Sequence, residues 1–133
     1  MANLTFELVS PERVLFSGSV DAVVLPASEG DMTVLPGHAP MMTALKTGFL
    51  VITDRPGSGR RVLVRGGFAD VNQRGLTVLA ERAMPEEEIT QEILDREILQ
   101  AEMAYDSTND PGAKHAAEGA IAQLREAKAA LNF

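Results

Sequence analysis

The sequence predicts an α+β protein, with an N-terminal β-sandwich over residues 1–84 followed by an antiparallel two-helix hairpin over residues 85–133. Three observations predict it. Apolar residues in the first part recur at every second position, as on a strand, and after Pro85 they recur at helical spacing. Turn-forming residues punctuate the first part about every ten positions, which suits short strands in a sandwich or barrel. All of the net charge of −7 lies in the last third: residues 86–133 hold four basic and eleven acidic side chains, whereas residues 1–85 hold eight of each.

In order along the chain, Leu4, Phe6 and Leu8 alternate with Thr5, Glu7 and Val9, and Val20, Ala22 and Val24 alternate in the same way. Further strands are expected over residues 48–53, 60–65 and 75–79. The expected turns are Ser17-Gly18, Ser28-Glu29-Gly30, Arg55-Pro56-Gly57-Ser58-Gly59, Gly66-Gly67 and Gln73-Arg74-Gly75. Beyond Pro85, Leu94, Ile98, Ala101 and Tyr105 form one helical stripe, with Thr90 as N-cap and Gln91 and Glu92 in the first turn. Residues 106–112 read as a loop, in which Asp110 caps a second helix that opens with Pro111. Ala117, Ala120, Ile121, Leu124 and Leu131 give that helix a narrow stripe of mostly small residues, so the hairpin buries little area and needs support from elsewhere.

Composition narrows the function. With 45% apolar and 23% charged residues the chain has material for an aliphatic core, and the absence of cysteine removes disulfides, thiolate metal sites and thiol nucleophiles. The acidic balance argues against a phosphate-backbone ligand, so no nucleic acid is expected. The first residues read as lacking a signal peptide, and no apolar run approaches the roughly 18 residues of a membrane span, so any membrane association is expected to come through partners.

In residues 29–40, Glu-Gly-Asp-Met-Thr-Val-Leu-Pro-Gly-His-Ala-Pro, the punctuation by Pro36, Gly37 and Pro40 holds His38 out on an ordered loop, and Glu29, Asp31 and His38 are the one cluster with ligand chemistry. A metal-dependent enzyme subunit or binding module using these three is the alternative reading; without a second histidine nearby, the carboxylates read better as turn residues. No serine sits in a nucleophile-elbow setting, and His115 falls in the hairpin. Glu86-Glu87-Glu88 reads as a solvated face. The glycines between Arg55 and Arg60 lack the lysine of a phosphate loop and suit a β-hairpin turn. No catalytic residue is expected. Met41 and Met42, beside Val34 and Leu35 and directly after Pro40, fit a contact surface or an interior strand equally well.

Four stretches carry a resemblance: residues 26–40, Leu45-Lys-Thr-Gly48, Gly66-Gly67-Phe68-Ala-Asp-Val71 and Thr77-Val-Leu-Ala80. Together with Ala-Ile-Ala-Gln-Leu-Arg125, they closely resemble the epsilon-subunit family of F-type ATP synthases along the whole chain. The resemblance implies a ten-stranded sandwich and a rotor subunit without catalytic residues or cofactor, joining the gamma subunit to the c-ring and coupling proton flow to ATP synthesis. It implies that Ser10, His38 and Thr43, with Met41 and Met42 beside them, face gamma, and that Ser28, Glu29, Gly30 and Asp31 face the c-ring. It further implies a peripheral position on the cytoplasmic face of a bacterial inner membrane, held there by the complex, with the alpha and beta subunits as further contacts of the hairpin. Some members bind ATP at the hairpin through an Ile/Leu-Asp-x-x-Arg-Ala motif. Here Leu94-Asp95-Arg96-Glu97 is followed by Ile98-Leu99, which leaves Asp95 and Arg125 as the residues that carry over. Other members inhibit hydrolysis by docking basic side chains on an acidic motif, and the acidic hairpin here is expected to inhibit weakly or not at all.

Overall fold

The computed structural model describes residues 3–55 and 58–133. Its strands are β1 (Leu4–Val9), β2 (Val14–Val20), β3 (Ala22–Ala27), β4 (Gly30–Val34), β5 (Met41–Leu45), β6 (Gly48–Arg55), β7 (Ser58–Asn72) and β8 (Gly75–Pro85), and its helices are α1 (Gln91–Asp106) and α2 (Pro111–Ala130). Two units divide between Glu86 and Glu87. Among the described residues no helix is long and apolar enough to cross a membrane.

The sheet runs in the order β2-β1-β8-β7-β5-β3-β4, and β6 pairs with both β3 and β7. β1 lies parallel to β8, and the other pairs are antiparallel. Among the described residues there are eight strands where the resemblance implied ten, because β7 is long enough to pair with β6 and then β5 along one edge while β8 follows its other edge. The first half of β7 pairs with β6, from Ile52↔Arg60 to Gly48↔Val64, and its second half pairs with β5, from Leu45↔Gly67 to Met41↔Val71. The corner between the halves is Gly66-Gly67, with φ of 75° and 127°, which only glycine adopts without strain. The pair expected to be a turn is thus a bend inside one continuous strand.

Two other expectations are corrected. Ser17-Gly18 lies within β2, opposite Glu7 and Phe6, because the β1–β2 turn falls earlier, at residues 10–13. The alternation of Val20, Ala22 and Val24 breaks at Asp21: Val20 is buried, and then Val23 and Leu25 point inward while Ala22 and Val24 are half-buried. A one-residue slip exchanges the faces of a strand, so β2 and β3 are separate elements. Pro56 and Gly57, at the centre of the expected turn between Arg55 and Arg60, lie outside the described residues; β6 and β7 flank them, with Arg55 opposite Ser58. β4, unforeseen as a strand, and β5, which the strand alternative for Met41 and Met42 had allowed, complete the sheet.

Phe6, Leu8, Val23, Leu25, Leu50, Ile52, Val64, Leu76 and Val78 form the centre of the core, which is aliphatic apart from Phe6. At the end of β8, Arg61 donates from Nε and a terminal nitrogen to the two carboxylate oxygens of Glu86, at 3.1 and 2.5 Å, and its guanidinium lies 4.7 Å from the Phe49 ring centroid. The hydrogen bonds from Arg61 hold the Glu86 carboxyl below its usual range.

In the second unit the Thr90 hydroxyl accepts the Ile93 N–H at 3.1 Å, and the Asp110 carboxylate accepts the Ala113 N–H at 2.8 Å, so both expected N-caps form. α1 buries Leu94, Ile98 and Ala101 together with Glu97, a charged residue the apolar stripe could not reveal. α2 buries Ala117, Leu124 and Ala127. Lys114 Nζ donates to the Tyr105 carbonyl at 2.8 Å and tops the Tyr105 ring, while Lys128–Asp95 (2.7 Å) and Arg125–Glu102 (3.5 Å) join the helices.

Candidate docking surface

The sheet register gathers apolar side chains on one outer face. Alternation along β5 turns Met41 towards the core and leaves Met42 and Ala44 outside. Ala44 stands opposite Phe68 on β7, Phe68 opposite Leu79 on β8, Leu79 beside Val9 on β1, and Val9 opposite Val14 on β2. Five strands therefore contribute to one continuous row, and Met42 lies next to it. Met42 (69%), Val14 (59%), Leu79 (57%) and Phe68 (56%) are each more than half exposed. A scattered exposed leucine or valine is ordinary, but a cross-strand row that includes Leu79 and Phe68 side by side marks a contact surface.

At one end of this face the chain builds a stiff loop. Leu35 accepts the His38 N–H at 3.1 Å, with Pro36 and Gly37 between them and φ of 82° at Gly37, which is a type II turn with its preferred residues. His38 Nδ1 lies 2.7 Å from the Ala39 carbonyl. Since a carbonyl only accepts, the proton sits on Nδ1 and Nε2 is left to meet a partner. This loop, the start of β1 and the β7–β8 turn line a cleft of about 450 Å³.

The residues expected to face gamma are divided by this geometry. Met42 belongs to the exposed face and His38 to the cleft at its end. Thr43 shares the inward phase of Met41, opposite the buried Ala69, and its hydroxyl bonds the Ala44 carbonyl at 3.3 Å. Ser10 is 8% exposed and caps the β1–β2 turn, its N–H and hydroxyl both directed to the Arg13 carbonyl. Sequence reading missed Phe68, Leu79, Val9 and Val14. Alternation alone could have placed Phe68, Leu79 and Val9 on an outer face, but Val14 is turned outward by the register shift at Leu8/Val9, and only the register joins the four.

Ser28 and Glu29 form the tip between β3 and β4, where Ala27 pairs with Gly30 and Gly30 has φ of 132°. Ser28, Glu29 and Asp31 are exposed, which leaves a small anionic projection. His38 lies beyond the opposite end of β4. Among the described residues no three histidine, aspartate or glutamate side chains gather to hold a metal, so Glu29, Asp31 and His38 form no such site. In the hairpin, Asp95 and Arg125 are engaged by Lys128 and Glu102 respectively.

Residues 3–86 match the sequence profile of the ATP synthase Delta/Epsilon chain beta-sandwich domain. The chain is 48% identical over 116 residues to the ATP synthase epsilon chain of Parvibaculum lavamentivorans, covering 86% of this chain and 88% of that one. It is 40% identical over 126 residues to that of Mesorhizobium japonicum, covering 95% and 93%. A chain in the cryo-EM structure of the Euglena gracilis mitochondrial ATP synthase OSCP/F1/c-ring superposes with a TM-score of 0.75 at 28% identity, over 98% of this chain and 82% of that one. A chain of the Tetrahymena thermophila ATP synthase central stalk and c-ring has the same fold, with a TM-score of 0.68 at 14% identity over 93% and 95%.

Proposed function

The chain belongs to the ATP synthase epsilon-chain family, and on that premise we propose that its sandwich is the foot of a rotor, docked on the gamma subunit through the apolar row and resting on the c-ring through the Ser28–Asp31 tip. It is a non-catalytic subunit, and its part in ATP synthesis is mechanical: it joins the shaft to the ion-driven ring. The observation that carries the reading is the row Val14, Val9, Leu79, Phe68 and Ala44 with Met42 beside it, an apolar face across five strands of a polypeptide whose core is already complete. A contact that transmits torque must resist shear. Side chains fixed on paired strands lose little conformational freedom on docking, and the turn stiffened by Pro36 adds to that economy.

The exposed Glu29 and Asp31 suit basic loops of a c-ring, an interaction weakened by salt. Membrane association then comes through the complex, on the cytoplasmic face of the bacterial inner membrane. No cofactor is invoked: the hairpin departs from the nucleotide motif after Glu97, and the ion pairs of Asp95 and Arg125 support a structural role for both.

Burying a phenylalanine is worth about 1.5–3 kcal/mol, and its loss at the centre of an interface raises Kd by roughly ten- to a hundredfold. Titration of the intact chain against its cognate gamma subunit tests this with Phe68→Ser and Met42→Ser. Both variants are expected to bind more weakly, Phe68→Ser by at least about tenfold. Wild-type affinity in both would remove the row from the interface.

A further inference from the structure

The cleft at the end of the apolar face holds a cation that the protein itself does not use. Arg74 sits in the two-residue turn between β7 and β8, where Asn72 pairs with Gly75 and the Asn72 carboxamide oxygen accepts the Arg74 N–H at 2.8 Å. That Asx turn fixes the backbone from which the side chain springs. Among the described residues, the Arg74 guanidinium makes no hydrogen bond or ion pair. The lining also includes His38, Asn72, Gln73 and Asn3, and among the described residues it contains no carboxylate. The nearest acid along β7, Asp70, is turned to the Asn72 carboxamide at 3.3 Å. Among the described residues of the lining, Arg74 is the one cation, beside the carboxamides of Asn3 and Gln73, while the Asp70 carboxylate borders the cleft through Asn72.

The cleft and the apolar row lie on the same sheet, one rung apart, the rung between them being Glu7, Thr77, Asp70 and Met42. Pro40, in its wall, precedes Met41 and Met42 of β5, and Val71 and Asn72 end the strand that carries Phe68. A protein lying on the row therefore reaches over the mouth of the cleft. A free anion would gain little from one exposed arginine in water, whereas a carboxylate carried by a docked protein arrives at high effective concentration and exchanges water for fixed donors.

We propose that this cleft receives an aspartate or glutamate side chain of the protein docked on the apolar row, with Arg74 as its ion-pair partner. The proposal rests on the gamma-docking reading above. It adds an electrostatic anchor that sets the register of an otherwise apolar contact, since apolar rows tolerate sliding and a single ion pair does not.

The test is calorimetric titration of the intact chain with its cognate gamma subunit at about 50 and about 300 mM NaCl, concentrations that span the change from weak to strong screening. Arg74→Gln is expected to lose about tenfold in affinity at the lower salt and to show a shallower salt dependence, with Arg74→Glu weaker still. Phe68→Ser is expected to lose affinity equally at both salts. A charge-reversing Asp→Lys or Glu→Lys change in gamma that restores binding to Arg74→Glu would identify the carboxylate. Wild-type affinity and salt dependence in both Arg74 variants, with Phe68→Ser weakened, would overturn the anchor and leave the docking face standing. Wild-type behaviour in all three would overturn the docking face, and the anchor with it.

Discussion

Replacing Gly67 with alanine tests the claim that β7 turns a corner within one strand. Gly67 has φ of 127°, and a Cβ there would lie 2.2 Å from the Leu79 carbonyl oxygen and 2.8 Å from the Ala80 Cα. Both are backbone atoms of β8, so no rotamer change relieves the overlap. The conformational strain costs about 1–3 kcal/mol, and moving β7 off β8 breaks ladder hydrogen bonds worth about 1 kcal/mol each. The expected total is about 3–5 kcal/mol, a large part of the roughly 5–15 kcal/mol that holds a domain together. Gly30→Ala separates strain from overlap, because Gly30 has φ of 132° and nothing within 4 Å of its would-be Cβ. Urea unfolding followed by circular dichroism is expected to rank wild type above Gly30→Ala, and Gly30→Ala above Gly67→Ala by at least about 2 kcal/mol. If Gly67→Ala unfolds within about 1 kcal/mol of Gly30→Ala, the close approach of the two strands at the corner is wrong.

The Arg61–Glu86 pair predicts a pH dependence. Glu86 has its folded pKa lowered by the hydrogen bonds from Arg61, so the pair stabilises above the unfolded carboxylate range and is lost as pH falls through the folded value. Both side chains remain 34% exposed, which limits the effect to about 0.5–1 kcal/mol near neutral pH. Wild type and Glu86→Gln are expected to differ by that much in urea unfolding at neutral pH and to converge in acid; a gap that widens in acid would refute the assignment. The acidic hairpin makes a second prediction: adding the intact chain to the catalytic head is expected to change ATP hydrolysis no more than adding a chain that ends after Glu86. The cut belongs there because β8 runs through Pro85 and Glu86 is tied to Arg61. Strong suppression by the intact chain alone would refute weak inhibition.

Local signals were legible wherever the cause was local. The change of period at Pro85, the caps at Thr90 and Asp110, and the turn at Pro36-Gly37 depend on residues within a few positions of each other, and the structure forms all of them. Gly66-Gly67 was visible as a special backbone position, but its use was not: the same pair of glycines permits a tight turn or a bend in a long strand, and pairing with β5, β6 and β8 decides for the bend. The slip at Asp21 escaped notice because a run of valines, alanine and leucine reads as alternating in either phase.

For the candidate site the division is sharper. The sequence by itself determined a two-part chain with an acidic hairpin and no thiol chemistry, a rigid loop presenting His38 and an anionic tip at Glu29 and Asp31. Only the tertiary structure decided that Val9, Val14, Ala44, Phe68 and Leu79 share one face, and that Arg74 enters a cleft with His38. Val9, Ala44, Phe68 and Leu79 each obey a period-two rule on their own strand, which fixes inside against outside but says nothing about neighbours. Neighbours are set by register, and register is a property of strand pairs that lie far apart along the chain.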